Sequence, residues 1–204
     1  MKPRTCHTLL MAVILVTAFL CIGWADKWTS AKDACTKVTS VSAEFTQEKH
    51  MRILSRPLVS KGVLFYQSPE SLRWEYQSPV RSILLMHNGK TRRYIQGKEG
   101  LIEDTGADLQ SLQIVIQEMT QWLGGRFDEN SSFAARFEQG RKIVLTPRQK
   151  SISMLISRIE LVLSDRPGVM ESVTIYESRD SFTRFTFQDA TVNQEIAESV
   201  FREK

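Results

Sequence analysis

Between Gly62 and Gly89 the chain reads G-V-L-F-Y-Q-S-P-E-S-L-R-W-E-Y-Q-S-P-V-R-S-I-L-L-M-H-N-G, and two Ser-Pro pairs, Ser68-Pro69 and Ser78-Pro79, constrain what this apolar-rich run can become. Proline removes a ladder donor and fixes its own φ, so the run is cut into three short pieces, each of which reads as a strand. The middle piece is the clearest. Leu72, Trp74 and Tyr76 alternate with Ser71, Arg73 and Glu75, which puts large apolar groups on one face and charges on the other. After the third piece, Asn88-Gly89 is a two-residue hairpin signal, because a type I′ turn needs φ > 0 at both central positions. A meander of antiparallel strands is the expectation.

The rest of the chain supports a larger sheet. Ser42 to Glu48 alternates as a first strand, Leu58 to Gln67 is a second, and Lys90 to Gln96 pairs back across Asn88-Gly89. Gly97, Gly100 and Gly106 mark a flexible surface connection. Strands return at Phe133 to Phe137, Lys142 to Leu145, Ile159 to Leu163, Val169 to Ile175 and Phe182 to Gln188, with a helical turn or lid-like loop at Ile152 to Leu155. Two segments have helical spacing instead: Trp28 to Val38, and Asp108 to Leu123, which Asp108 can cap and Gly124-Gly125 can end. About ten strands and two or three helices imply one long, curved antiparallel sheet with helices on a single face, an α+β arrangement.

The N-terminus reads as an address. Lys2 and Arg4 precede an uncharged run from Thr5 to Ala25, and Gly23-Trp24-Ala25 places small residues where a signal peptidase reads, so residues 1–25 are expected to be a cleaved secretory signal and 26–204 the exported domain. Its apolar core, Leu9 to Ile22, is shorter than the roughly 20 residues that span a bilayer. Two other fates are an anchor that stays in place and lipidation of Cys21. Cleavage removes Cys6 and Cys21 and leaves Cys35 alone, so the exported fold must rely on its own core. Subtracting the charges of Lys2 and Arg4 takes the formal net charge from +4 to +2, and no Lys/Arg cluster suggests nucleic acid.

Motifs for catalysis are missing from the sequence. His50 and His87 stand on separate segments without Cys, Asp or Glu at metal-ligand spacing, and no G-x-S-x-G, Walker lysine or G-x-G-x-x-G motif occurs. Cys35 lies on the apolar stripe of the first helix and reads as a small buried hydrophobe. No cofactor, metal or enzymatic activity is expected. The Leu72, Trp74 and Tyr76 face, with Leu84 or Leu85 beside it and a helix above, has two readings. It closes as an ordinary core, or sheet and helices enclose an apolar cavity for a lipid tail.

In order along the chain, Phe45-Thr46-Gln47, the glycine-led strand before Ser68-Pro69, Leu72-Arg73-Trp74 followed by Pro79, Ser82-Ile83-Leu84 running into Asn88-Gly89-Lys90-Thr91, and Val144-Leu145-Thr146-Pro147 resemble LolA, the periplasmic carrier family of outer-membrane lipoproteins. The resemblance implies an incomplete antiparallel β-barrel of about ten to eleven strands, with helices forming a lid on the concave side. It also implies a monomeric, soluble periplasmic carrier in a Gram-negative bacterium. Such a carrier takes acylated lipoprotein from an ABC-type or other inner-membrane exporter to an outer-membrane acceptor of the LolB type. The lipid-facing positions are then Leu64, Tyr66, Leu72, Trp74 and Tyr76 on the sheet, and Leu112, Ile116, Met119 and Leu123 on the lid helix. A one-residue slip of the second strand would exchange Leu64 and Tyr66 for Val63 and Phe65.

The sequence also departs from the family pattern. Ser68 stands where many members carry the arginine that holds the lid closed. Arg92-Arg93-Tyr94 replaces an aromatic strand, and the chain stops at Lys204, soon after Phe201. These differences leave room for a carrier of a non-protein lipid, such as a polyene or glycolipid tail. They also leave room for a membrane-tethered acceptor or sensor of the same fold.

Overall fold

The computed structural model describes residue 29 and residues 32–104, 120–127, 132–166 and 168–202. The signal expected at 1–25 lies outside them, as does most of the helix expected over Asp108 to Leu123.

Eleven strands form one sheet. They are β1 (Ser40–His50), β2 (Leu58–Gln67), β3 (Ser71–Ser78), β4 (Ser82–His87), β5 (Lys90–Gly97), β6 (Gly100–Glu103), β7 (Phe133–Glu138), β8 (Lys142–Pro147), β9 (Arg158–Leu163), β10 (Met170–Tyr176) and β11 (Phe182–Val192). Their order is β6-β5-β4-β3-β2-β1-β11-β10-β9-β8-β7. The chain walks outward from β1 to one edge, re-enters at the other edge, and walks back until β11 pairs with β1. Every pairing is antiparallel, and the edge strands β6 and β7 do not pair with each other, so the sheet is open.

Both Ser-Pro pairs sit where the sequence places them, between β2 and β3 and between β3 and β4, with cis peptide bonds. Asn88 and Gly89 take φ of 51° and 70°, as a type I′ turn requires. Gly97, Gly100 and Gly106 were expected to mark a flexible connection, and Gly106 lies outside the described residues. Instead Gly97 pairs with Gly100 and opens a hairpin into β6. Four residues of strand are too few to show an alternation, which is why the pattern misses them.

Register decides which side chains share a face. Leu64 lies opposite Trp74, Tyr66 opposite Leu72, and Trp74 opposite Leu84. Phe45 lies opposite Gly62 on the neighbouring pair. At Gly62 the β2–β3 register shifts, and a Cβ there would overlap the Glu75 carbonyl and stand 2.7 Å from the Phe45 ring. Only glycine lets β3 and the Phe45 ring come this close.

On the inner face the main core gathers residues from β1 to β4 and from β7 to β11. Helical residues meet it from above. Cys35, in the helical stretch 32–36, and Trp122 and Leu123, at the end of the helix stopping before Gly124, are buried in that core. Gly125 at φ 73° closes this helix: its N–H donates to the Trp122 carbonyl at 2.9 Å, and the Arg126 N–H donates to the Gln121 carbonyl at 2.9 Å. This bond pair is a Schellman cap. A Cβ on Gly125 would stand 2.8 Å from the Thr36 nitrogen, so the two helical stretches touch at the glycine. Among the described residues no helix is long and apolar enough to cross a membrane.

The outer face differs from expectation. The alternation in β3 puts Arg73 and Glu75 away from the apolar face, yet both are buried. They lie beneath the C-terminal segment, whose 3-10 turn (Glu198–Phe201) seats Phe201 against Ile83, Leu85 and Tyr94. Arg73 donates to the Val200 carbonyl at 3.1 Å, and also to Glu75, whose carboxylate accepts again from Arg81 at 2.9 Å. The outer side of the sheet is therefore covered as well, at β3 to β5.

Burial alone would raise the Glu75 pKa, but hydrogen bonds from Arg73 and Arg81 outweigh it and hold the carboxyl below its ordinary value of 4.5. A depressed carboxylate contributes stability above its unfolded pKa and loses it as pH falls through the folded one. The melting-temperature gap between the protein and Glu75→Gln is expected to stay constant from pH 8 to about 4.5 and to narrow on further acidification. A pH series of thermal melts checks it.

Candidate functional site

The residues singled out on the sheet converge. Leu64, Tyr66, Leu72 and Trp74 are at most 3% exposed, and together with Leu123 they belong to the main inner core, against which Tyr76 packs half-buried. The second strand is not slipped: Leu64 and Tyr66 point inward, and Phe65 packs with the outer cluster. Of the paired candidates on β4, Leu84 faces in and Leu85 faces out. Leu112, Ile116 and Met119 lie outside the described residues.

At the centre is an aromatic group contributed by three elements. The Phe45 ring stands 4.6 Å from Trp74, 5.2 Å from Tyr76 and 6.1 Å from Phe185, centroid to centroid. Trp74 meets Phe185 edge-on at 5.1 Å and Phe187 at 6.3 Å. Such offset and T-shaped contacts are the favourable arrangements of aromatic quadrupoles. Phe45, Phe185 and Phe187 were absent from the expected site although their alternation was visible. What one strand's pattern cannot show is that β11 returns to lie beside β1.

The polar groups in this region are few. Tyr76 donates its hydroxyl to Gln47 Oε1 at 2.5 Å, and burial pushes its pKa up to about 12, so it remains a neutral donor. Burial also raises the Tyr66 hydroxyl, against the opposing pull of Ser68 and the Arg126 charge. Trp122 Nε1 is buried without a hydrogen-bond partner, and Trp74 Nε1 has none of good geometry, although it lies close enough to the Tyr76 hydroxyl to oppose the rise in that group's pKa. Each unpaired N–H costs about 1–3 kcal/mol in an apolar interior.

The remaining chemistry-bearing residues are accounted for by packing. Cys35 is 4% exposed, and burial raises its pKa to about 11, so the thiol stays protonated at neutral pH. His50 stacks on Phe182 at 4.3 Å. His87 Nδ1 lies 2.8 Å from the Ser71 hydroxyl, and its ring is parallel to Phe201. Among the described residues no group of three or more His, Cys, Asp or Glu could hold a metal ion. A pocket of about 290 Å³ lies on the outer face, between Leu85, His87, Lys90 and the Phe201 turn. It is separate from the aromatic group.

Residues 36–204 match the family described as "Outer membrane lipoprotein carrier protein LolA". The chain belongs to the LolA family. Its fold class and the resemblance read from its motifs agree with that membership. An outer-membrane lipoprotein carrier protein of Pseudoalteromonas translucida (strain TAC 125) is 20% identical over 183 residues, 87% of this chain and 83% of the relative. Among solved structures, MucB is similar with a TM-score of 0.52 at 17% identity, over 89% of this chain and 63% of that one. In the Pseudomonas aeruginosa MucA/MucB complex, the matched chain gives a TM-score of 0.50 at 16% identity, over 88% of this chain and 61% of that one. This chain thus spans less than two thirds of those chains, and at such identities the likeness is one of fold. LolA-family proteins are carriers, and the inner aromatic face of this member is built from β1, β3 and β11.

The orphaned indole N–H gives a direct prediction. Trp74→Phe keeps most of the ring contacts and removes the unpaired donor, so it should change unfolding free energy by less than about 1.5 kcal/mol. Trp74→Ala should cost about 3–5 kcal/mol. Urea denaturation of the two variants measures both.

Proposed function

We propose that the protein is a soluble periplasmic carrier, exported by a signal cleaved after Ala25. It shields the acyl chains of lipoproteins against the inner face and passes them from an inner-membrane exporter to an outer-membrane acceptor. The observation that supports this best is the continuous apolar face around Phe45 and Trp74, occurring in a LolA-family chain. Leu64, Tyr66, Leu72, Trp74, Tyr76 and Leu123 would line the acyl site, with Leu112, Ile116 and Met119 completing it from the lid helix.

The energetics call for such a device. Withdrawing about 15 methylenes from water is worth roughly 12 kcal/mol at about 0.8 kcal/mol each, so a free acylated protein does not cross an aqueous compartment unaided. A carrier that held the chain with that full energy would never release it. Helices held on the inner face by apolar contact, such as that of Trp122 and Leu123, would give up that buried area for cargo to replace. An unpaired indole N–H in these surroundings suits the ester or amide carbonyl at the head of an acyl chain.

A second reading keeps the site and changes the cargo to a non-protein lipid, favoured by Ser68 in place of the family arginine. Native mass spectrometry of the exported protein, purified without detergent, separates the two. Acylated protein bound to the wild type and lost in Trp74→Glu is the expected result; an extracted polyene or glycolipid would transfer the reading to the second cargo. Consistent absence of any acyl species, with Trp74→Glu indistinguishable from wild type, overturns both. N-terminal sequencing should begin at Asp26, whereas a lipidated Cys21 would make the protein a tethered acceptor.

A further inference from the structure

The two rims of the sheet are chemically unlike. On one rim lie the β2–β3, β4–β5, β7–β8 and β9–β10 turns, whose described residues include Gln67 to Glu70, Asn88-Gly89, Gln139 to Arg141, Ser164 to Arg166 and Gly168, all polar or glycine and proline. None of the large exposed apolar side chains of the described residues lies there.

The other rim collects them. Antiparallel pairing of His50 with Phe182, Lys61 with Ser78, Ser82 with Ile95 and Arg158 with Tyr176 brings the β1–β2, β3–β4, β8–β9 and β10–β11 connections to the same end of the sheet. The β1–β2 turn exposes Ile53 at 82%, followed by Leu58 at 54% as β2 begins. Val80 in the β3–β4 turn is 57% exposed, and Met154 beyond the short helix (Lys150–Ser153) is 72% exposed. Apart from Ile102 on the edge strand β6, every large exposed apolar side chain of the described residues is on this rim.

Cations are interleaved with these tips. Arg52 and Arg56 flank Ile53 and Leu54 and are exposed, and no carboxylate occurs between His50 and Leu58. Lys150 is exposed beside Met154. Of the carboxylates on these connections, Glu177 is engaged by Lys49 at 3.6 Å, while Asp180 in the β10–β11 turn and Glu99 in the β5–β6 turn are exposed beside Arg179 and Lys98.

We propose that this rim docks the protein on a bilayer surface containing anionic phospholipid. Separate aliphatic tips projecting from three connections, with guanidinium groups beside them, match the chemistry of the membrane interface, where methyl groups enter the acyl boundary and arginines remain among the phosphates. A protein partner would instead be met by one contiguous, shape-complementary patch with a depleted charge at its centre. Docking by this rim is independent of what the inner face carries, because none of its tips belongs to the inner core.

The test is co-sedimentation of the exported protein with vesicles of phosphatidylethanolamine and phosphatidylglycerol, compared with vesicles of phosphatidylcholine alone. The protein should bind the anionic vesicles and release as salt rises. Ile53→Asp with Leu54→Asp, both in an exposed turn, should lower the bound fraction at least about tenfold. Arg52→Ala with Arg56→Ala should abolish the preference for anionic lipid, and Gln139→Asp on the opposite rim should change nothing. Thermal melts confirm that each variant is folded, and unchanged acyl occupancy by mass spectrometry keeps this result separate from the cargo reading. Absence of binding to anionic vesicles at low salt, or binding indifferent to the Ile53 and Leu54 changes, overturns the proposal. Capture of a protein partner by this rim without vesicle binding does the same.

Discussion

The close approach of β1, β2 and β3 at Gly62 is the constraint on which the rest of this structure depends. Side chains in a strand alternate with period 2, so a slip of one residue between β1 and β2, or between β2 and β3, would turn every large group to the opposite face. The actual register places Phe45, Leu64 and Trp74 on one side, and the missing Cβ at Gly62 lets Phe45 settle against β3. Inner face, aromatic group and helix contact all follow from that alignment. So does the outer face, since the same register sends Arg73 and Glu75 to the side where the C-terminal turn binds them.

A sheet covered on both sides has two kinds of cover here. On the outer side the cover is fastened by directional, charge-assisted hydrogen bonds from a buried arginine to backbone carbonyls, which fix position. On the inner side Trp122 and Leu123 meet the sheet through apolar contact, which has no preferred direction. On the proposed function this difference suits a carrier: the outer cover is tied by geometry, and the inner cover is held by surface area that cargo could replace.

Much of this was legible in the chain. Proline and Asn-Gly punctuation gives the β2 to β5 meander, because those residues act on their own backbone and need no tertiary partner. The inward set Leu64, Tyr66, Leu72 and Trp74 follows from alternation once a register is chosen. The features that escaped are non-local. Phe185 and Phe187 join Trp74 because β11 closes on β1, almost the whole chain apart. The turn around Phe201 covers β3 to β5 although the segment from Val192 to Phe201 has no periodicity to announce it. Alternation left an ordinary core and a cavity for a lipid tail as two open readings of the same face, and the family likeness is what favours the second.

The central claim is that an acyl chain lies against Phe45 and Trp74, and quenching of indole emission by a palmitoyl peptide brominated at mid-chain tests it directly. Saturable quenching is predicted, with an amplitude that drops in Trp74→Phe and an affinity that rises about fourfold for each added methylene, the equivalent of about 0.8 kcal/mol. Absence of quenching, or an affinity indifferent to chain length, would contradict the account.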